Sequence, residues 1–340
     1  MIARCAVRPA FTLVLSLFIP AALSANLWSQ SSDDVHIAPR HQSSDSTTLA
    51  SPAEPELKTR PLHVDVNLVL VPVTVTDSLN HPVLSLHAQD FSLSEGQETQ
   101  PIRYFSHEDV PISVGLVLDC SASMKNKIEY ERQALQEFFN NANSDDEYFA
   151  VTVSNKPRLI ASAEDSFGTL EDRLVASPPQ GRTALFDAIY MAIAKMRSAR
   201  YQRRALLIIS DGGDNTSRYT RDEIKRVIEE ADVLTYAIGI FDEEPIPLLK
   251  TFEERMGRNW LSELTDVSGG RTIAADNRRQ IPEIAATISR ELRSEYVLGY
   301  LPSDLSRDGK WRKITVKVAQ PSEATRLQVH FKAGYRAPLE

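Results

Sequence analysis

Apolar and polar positions along the chain fall into blocks of different period. Val64 to Asp77 is β-branched and partly alternating, which predicts one long strand or two joined at Pro72. Ser78 to Pro82 reads as a turn. Short strands are expected at Phe91 to Ser94 and at Ile102 to Phe105, separated by a turn at Glu95 to Glu98. So few strands do not stand alone. Beyond Pro111 the pattern changes. Ile112 to Leu118 is a near-continuous apolar run, as a parallel strand covered on both faces requires. Tyr148 to Ser154, Ala205 to Ile209 and Val233 to Ile240 also read as strands. Helical spacing marks Lys127 to Asn140, Ala184 to Met196, Asp222 to Glu230 and Ile281 to Leu292.

This alternation predicts an α/β fold over residues 111–295, a doubly wound, mostly parallel, Rossmann-like sheet with helices on both faces. Strand signals return at Tyr296 to Tyr300, Trp311 to Val318 and Leu327 to Phe331, with a turn at Asp308-Gly309. The expectation is that an N-terminal β segment, 61–110, pairs with a C-terminal one, 296–340. Together they would make a β-sandwich-like domain into which the α/β domain is inserted.

The first residues have a different logic. Arg4 and Arg8 precede an apolar run of about 14 residues, Ala10 to Leu23, and Ala22-Leu23-Ser24-Ala25 offers small residues for cleavage. The run is short of the roughly 20 residues needed to span a bilayer. Residues 1–25 therefore read as a signal peptide, which implies export to the periplasm or the medium and no stable membrane span after cleavage. Residues 26–60 are rich in Ser, Pro, Asp and Thr and read as a disordered linker.

Composition narrows the function classes. The 340 residues carry 38 Lys and Arg against 46 Asp and Glu, a formal charge of −8, which disfavours a nucleic-acid partner. Two cysteines, Cys5 and Cys120, exclude a disulfide framework and a zinc knuckle. No histidine lies between His107 and His330, and no glycine-rich phosphate loop or G-x-S-x-G motif is present, so the chain does not read as an enzyme.

The chemistry gathers at predicted strand ends. Asp119-Cys120-Ser121-Ala122-Ser123 closes the first buried strand, Thr183 opens a helix, and Asp211 follows the strand ending at Ile209-Ser210. Strand ends at the switch point of an open α/β sheet form a crevice. Two carboxylates and three hydroxyls, without nitrogen or sulfur, suit a hard divalent cation. Mg²⁺ or Mn²⁺ fits such a set better than Ca²⁺, which usually takes more carboxylates. The plainer reading is a polar turn in which Ser and Asp only cap helices.

D-x-S-x-S followed by a distant Thr and a distant Asp resembles the von Willebrand factor type A (VWA) domain and its metal-ion-dependent adhesion site. All five positions are matched, by Asp119, Ser121, Ser123, Thr183 and Asp211. The flanks are similar to those of secreted bacterial proteins described from acidobacteria, at Val75-Thr76-Asp77, Asp90-Phe91, Tyr296 to Tyr300 and Gly334-Tyr335. The resemblance implies that Ser121, Ser123 and Thr183 bind the cation through hydroxyls, and Asp119 and Asp211 directly or through water. It implies a protein partner whose Asp or Glu carboxylate completes the site. The alternative is a structural protein in which the cation only stabilises the fold.

Other features have simpler readings. Cys120 packs under the loop, the alternative being an oxidation-sensitive thiol. Asp187 is structural, and Asp214 and Asn215 shape the Asp211 loop. Arg197, Arg200, Arg203 and Arg204 read as a solvated helix end, Asp145-Asp146-Glu147 as an exposed loop, and Trp260 as core.

Overall fold

The computed structural model describes residues 68–241, 252–275, 277–319 and 326–339, without the side chains of 252–255. The expected signal peptide, the linker and residues 61–67 of the N-terminal β segment lie outside the described residues. In chain order the first strands are β1 (Val69–Thr76), β2 (Phe91–Glu95), β3 (Glu98–Gln100) and β4 (Tyr104–Ser106). The middle of the chain holds β5 (Ser113–Asp119), α1 (Ile128–Asn140), β6 (Glu147–Val153), β7 (Arg158–Ala161), α2 (Phe167–Val175) and α3 (Leu185–Met196). It continues with β8 (Arg204–Ser210), α4 (Arg221–Ala231), β9 (Leu234–Ile240), α5 (Phe252–Ser268), β10 (Thr272–Ala275) and α6 (Ile281–Arg293). The last strands are β11 (Tyr296–Tyr300), β12 (Trp311–Val318), β13 (Gln328–Phe331) and β14 (Gly334–Arg336).

The central sheet has the order β10-β9-β8-β5-β6-β7. All its pairings are parallel except that of β7, which runs antiparallel to β6. Val114, Leu116 and Leu118 of β5 pack on one face with α1, α2 and α6, through Leu135, Phe138, Leu174 and Ile288. Val117 joins Ile208 on the other face with α3, α4 and α5, through Ile189, Ile228 and Leu261. A strand covered on both faces has no polar side, which explains the unbroken apolar run. The chain leaves β5 for β6 and β7, then returns to β8 on the opposite side. The crevice between β5 and β8 is therefore the switch point of the sheet.

Two four-stranded antiparallel sheets, β13-β1-β11-β4 and β14-β12-β2-β3, each combine strands from both ends of the chain. Val71, Val73 and Val75 face Phe91, Leu93, Tyr296, Leu298, Ile314 and Val316 in their shared core. β1 runs unbroken through Pro72 because β13 pairs only with Val73 to Thr76 and β11 only with Val69 to Val73. At Pro72 the strand has one neighbour, so a missing N–H on the other side costs nothing.

Several local expectations change. The turn at 95–98 closes the β2–β3 hairpin instead of leading to a strand at 102, and β4 starts at Tyr104 and pairs in the other sheet. β3 and β4 are three residues long, too short to show alternation. β7, α2, α5, β10 and β14 were not anticipated.

Asp146, Glu147 and Arg203, expected to be solvated, are tied at the seam between the antiparallel sheets and the α/β part, where Arg271 is tied as well. Asp146 accepts hydrogen bonds from Ile112 N, Asn143 N and the Tyr148 hydroxyl and pairs with Arg293. Glu147 accepts from Ser113 Oγ and Arg200 N. Arg203 pairs with Glu295 and donates to Leu292 O. Buried Arg271 pairs with Glu291 of α6 and donates to Asn80 Oδ1.

Candidate metal centre

β5 ends at Asp119 and β8 at Ser210, side by side at the switch point, so Asp119 and Asp211 enter the crevice from adjacent strands. Three loops are knitted together there. Ala122 N donates to Gly181 O (3.1 Å) and Gln180 N to Cys120 O (2.9 Å), joining the Asp119 loop to the Thr183 loop. Thr183 N donates to Asn215 Oδ1 (3.0 Å) and Thr183 O accepts from Asn215 N (2.9 Å), joining the Thr183 loop to that of Asp211. Ser121 and Thr183 are buried and Ser123 is exposed, with 3.0 Å between the Ser121 and Ser123 hydroxyl oxygens.

The helix-cap explanation of these hydroxyls does not hold. Ser121 precedes a short 3-10 turn, yet its side chain makes no cap hydrogen bond. Lys127 stands at the N-cap of α1 and Ala184 at that of α3. Asp214 Oδ1 caps α3 instead, accepting from Leu185 N (2.8 Å) and Phe186 N (3.2 Å). The D-x-S-x-S hydroxyls are thus not spent on the ends of α1 or α3.

Asp119 is wholly buried. Burial first, and the charge of Asp211 second, push its carboxyl up from 3.8 to about 6. Ser210 Oγ donates to Asp119 Oδ2 (2.6 Å) and Ser121 N to Oδ1 (3.0 Å), which offsets part of that cost. Asp211 Oδ1 accepts from Gly213 N (3.1 Å). Glu131 of α1 is also buried, and neither of its carboxylate oxygens has a hydrogen-bond partner. Burial, then the charge of Asp119, push its carboxyl well above the ordinary range. Burial likewise pushes the Cys120 thiol far up, which keeps it protonated and unreactive. Among the described residues no group of three or more His, Cys, Asp or Glu is placed to hold a metal. Hydroxyl oxygens would have to complete the donor set, and an all-oxygen set beside two repelling carboxylates fits a hard cation.

Residues 114–213 match the family model of the von Willebrand factor type A domain, a span that includes all five of these residues. Residues 114–213 form a VWA domain. It is 22% identical over 171 residues to an uncharacterised protein of Borreliella burgdorferi, covering 47% of this chain and 49% of the other. The chain thus spans about half the length of that curated relative. Among solved structures, a von Willebrand factor type A protein from Catenulispora acidiphila has a TM-score of 0.45 and 11% identity, over 81% of this chain and 74% of that one. An aerotolerance-related membrane protein from Bacteroides fragilis has a TM-score of 0.42 and 18% identity, over 53% and 98%.

Around the VWA switch point, three residues that sequence reading missed do much of the work. Ser210 holds Asp119 and accepts from Gly212 N (3.0 Å). Lys127 and Glu131 approach from the N-cap and the first turn of α1, four and eight residues past Ser123. Both are charged residues buried where the start of α1 packs inward. Trp260 is core, as expected, and its Nε1 also donates to Gly212 O (2.7 Å), fixing the turn after Asp211. Gly212 has φ +78° and lies so near Gly257 that a Cβ would come within 2.8 Å of the Gly257 Cα. Asp187 supports that loop from α3, accepting from Arg218 N (2.8 Å) and Tyr219 N (3.3 Å).

Proposed function

We propose that the protein is an exported, metal-ion-dependent binding module. VWA domains are commonly protein-interaction or adhesion modules. In this reading Asp119, Ser121, Ser123, Thr183 and Asp211 hold Mg²⁺ or Mn²⁺, and an Asp or Glu carboxylate of a protein partner completes the coordination. The observation that carries it is a set of hydroxyls not spent on helix caps beside the wholly buried Asp119 carboxyl and the neighbouring charge of Asp211 at the switch point. A cation with few direct carboxylates stays electron-poor and holds an incoming carboxylate strongly. The chain's own residues orient the site: Ser210 fixes Asp119, Asn215 fixes Thr183, and Gly213 N fixes Asp211. Export rests on the signal-peptide pattern of residues 1–25 and places the module in the periplasm or the medium. Among the described residues no helix is long and apolar enough to cross a membrane.

The test is a peptide library rich in Asp and Glu, screened against the protein in Mg²⁺ and in EDTA. The expected result is Mg²⁺-dependent capture that is lost with Asp119→Ala and with peptides whose carboxylates are amidated. Stability that rises with Mg²⁺ while no carboxylate ligand binds would favour the scaffold reading instead.

A further inference from the structure

Lys127 ends the same loop that carries Asp119, Ser121 and Ser123, and its side chain is only 3% exposed. Its ammonium lies 3.7 Å from Asp211 Oδ2 and donates to the carbonyl of Ile240 at the end of β9 (3.3 Å). Its backbone is pinned as well, with its N–H on Met124 O (2.8 Å) and its carbonyl accepting from Tyr130 N (3.0 Å) and Glu131 N (3.1 Å). The ammonium thus meets Asp211 at its Oδ2, at ion-pair rather than hydrogen-bond distance. The other oxygen, Oδ1, accepts from the Gly213 amide, which leaves a lone pair on it for a ligand.

Such an arrangement restricts how Asp211 can meet a divalent ion. Bidentate coordination would bring the ion against Oδ2 and close to a buried ammonium, whose repulsion water screens less than it would at the surface. Mg²⁺ and Mn²⁺ are satisfied by single carboxylate oxygens and bound water, whereas Ca²⁺ takes six to eight oxygens and often both of a carboxylate. We propose that Lys127 is a specificity-determining residue of this VWA domain: it holds Asp211 to one-oxygen coordination and thereby discriminates against Ca²⁺. In the metal-free protein the same ammonium supplies positive charge beside Asp211. The proposal rests on the cation-site reading above, and the experiment separates the two.

The full chain is titrated calorimetrically with Mg²⁺ and with Ca²⁺, as wild type, Lys127→Met and Lys127→Gln, with thermal midpoints recorded in EDTA. The wild type is expected to bind Mg²⁺ more tightly than Ca²⁺. Loss of the ammonium is expected to tighten both, Ca²⁺ by about tenfold more than Mg²⁺, while lowering the midpoint in EDTA. A fall in midpoint with the Mg²⁺/Ca²⁺ affinity ratio unchanged assigns Lys127 a packing role and overturns the proposal. Wild-type protein that binds Ca²⁺ at least as tightly as Mg²⁺ overturns it without any variant. Wild-type protein that binds neither ion removes the cation-site reading itself, and this inference with it.

Discussion

Replacing Asp119 by Asn should stabilise the metal-free protein while abolishing its response to metal. The Asp119 carboxyl is fully buried and its ionisation is moved from 3.8 in a free chain to about 6 in the fold, by burial and by Asp211. For an acid raised in this way, the stabilising contribution is complete below pH 3.8 and is lost as pH rises through about 6. Two pH units correspond to about 3 kcal/mol lost by pH 8. Asn carries no charge, keeps an acceptor for Ser121 N, and can donate to the Ser210 hydroxyl that now donates to Asp119 Oδ2. Asp119→Asn should therefore exceed wild type by about 3 kcal/mol in EDTA at pH 8, roughly 6 °C in melting temperature, and match it near pH 4. In Mg²⁺ at 100 times its dissociation constant, wild type should gain about 2.7 kcal/mol and the variant nothing. Calorimetric melts in EDTA and in Mg²⁺ at pH 4 and pH 8 make the comparison. A variant less stable than wild type in EDTA at pH 8 would refute the reasoning, because the carboxylate would then be a net asset to the fold without metal.

Glu131→Met removes a buried carboxyl with no hydrogen-bond partner and should raise stability by about 1–3 kcal/mol at pH 8. Since that carboxyl is raised well above 4.5, the gain should shrink as pH falls towards 4.5, which urea titration at several pH values will show. Arg271→Met strands the buried carboxylate of Glu291 and should cost about 3–5 kcal/mol in urea unfolding, with most recovered in Arg271→Met/Glu291→Leu. Gly212→Ala places a Cβ against the Gly257 backbone at a positive φ and should cost about 2 kcal/mol or more in melting experiments.

The α/β core was legible because its strands are covered on both faces: Ile112 to Leu118 and Ala205 to Ile209 carry almost no polar residue. Helices α1, α3, α4 and α6 announced themselves by period, and their observed ends fall within one residue of expectation. β7 was hidden because it is a four-residue edge strand with Arg158 and Leu159 exposed. The seam was hidden for a different reason. Asp146, Glu147, Arg203 and Arg271 look like surface charges until partners from distant segments, such as Arg293, Glu295 and Glu291, come to meet them. At the switch point, sequence spacing put Asp119, Ser121, Ser123, Thr183 and Asp211 forward as a set. It could not show Ser210, Lys127 and Glu131, whose importance depends on which way a strand or helix face is turned.

The central claim is that these five residues hold a divalent cation, and Mg²⁺ titration calorimetry on the full chain tests it most directly. Wild type, Asp119→Asn and Thr183→Val are compared at pH 8. The account predicts one saturable site per chain in wild type, its loss in Asp119→Asn, and at least about a tenfold weakening in Thr183→Val. Wild-type protein that takes up no Mg²⁺, or variants that bind it as wild type does, would contradict the account.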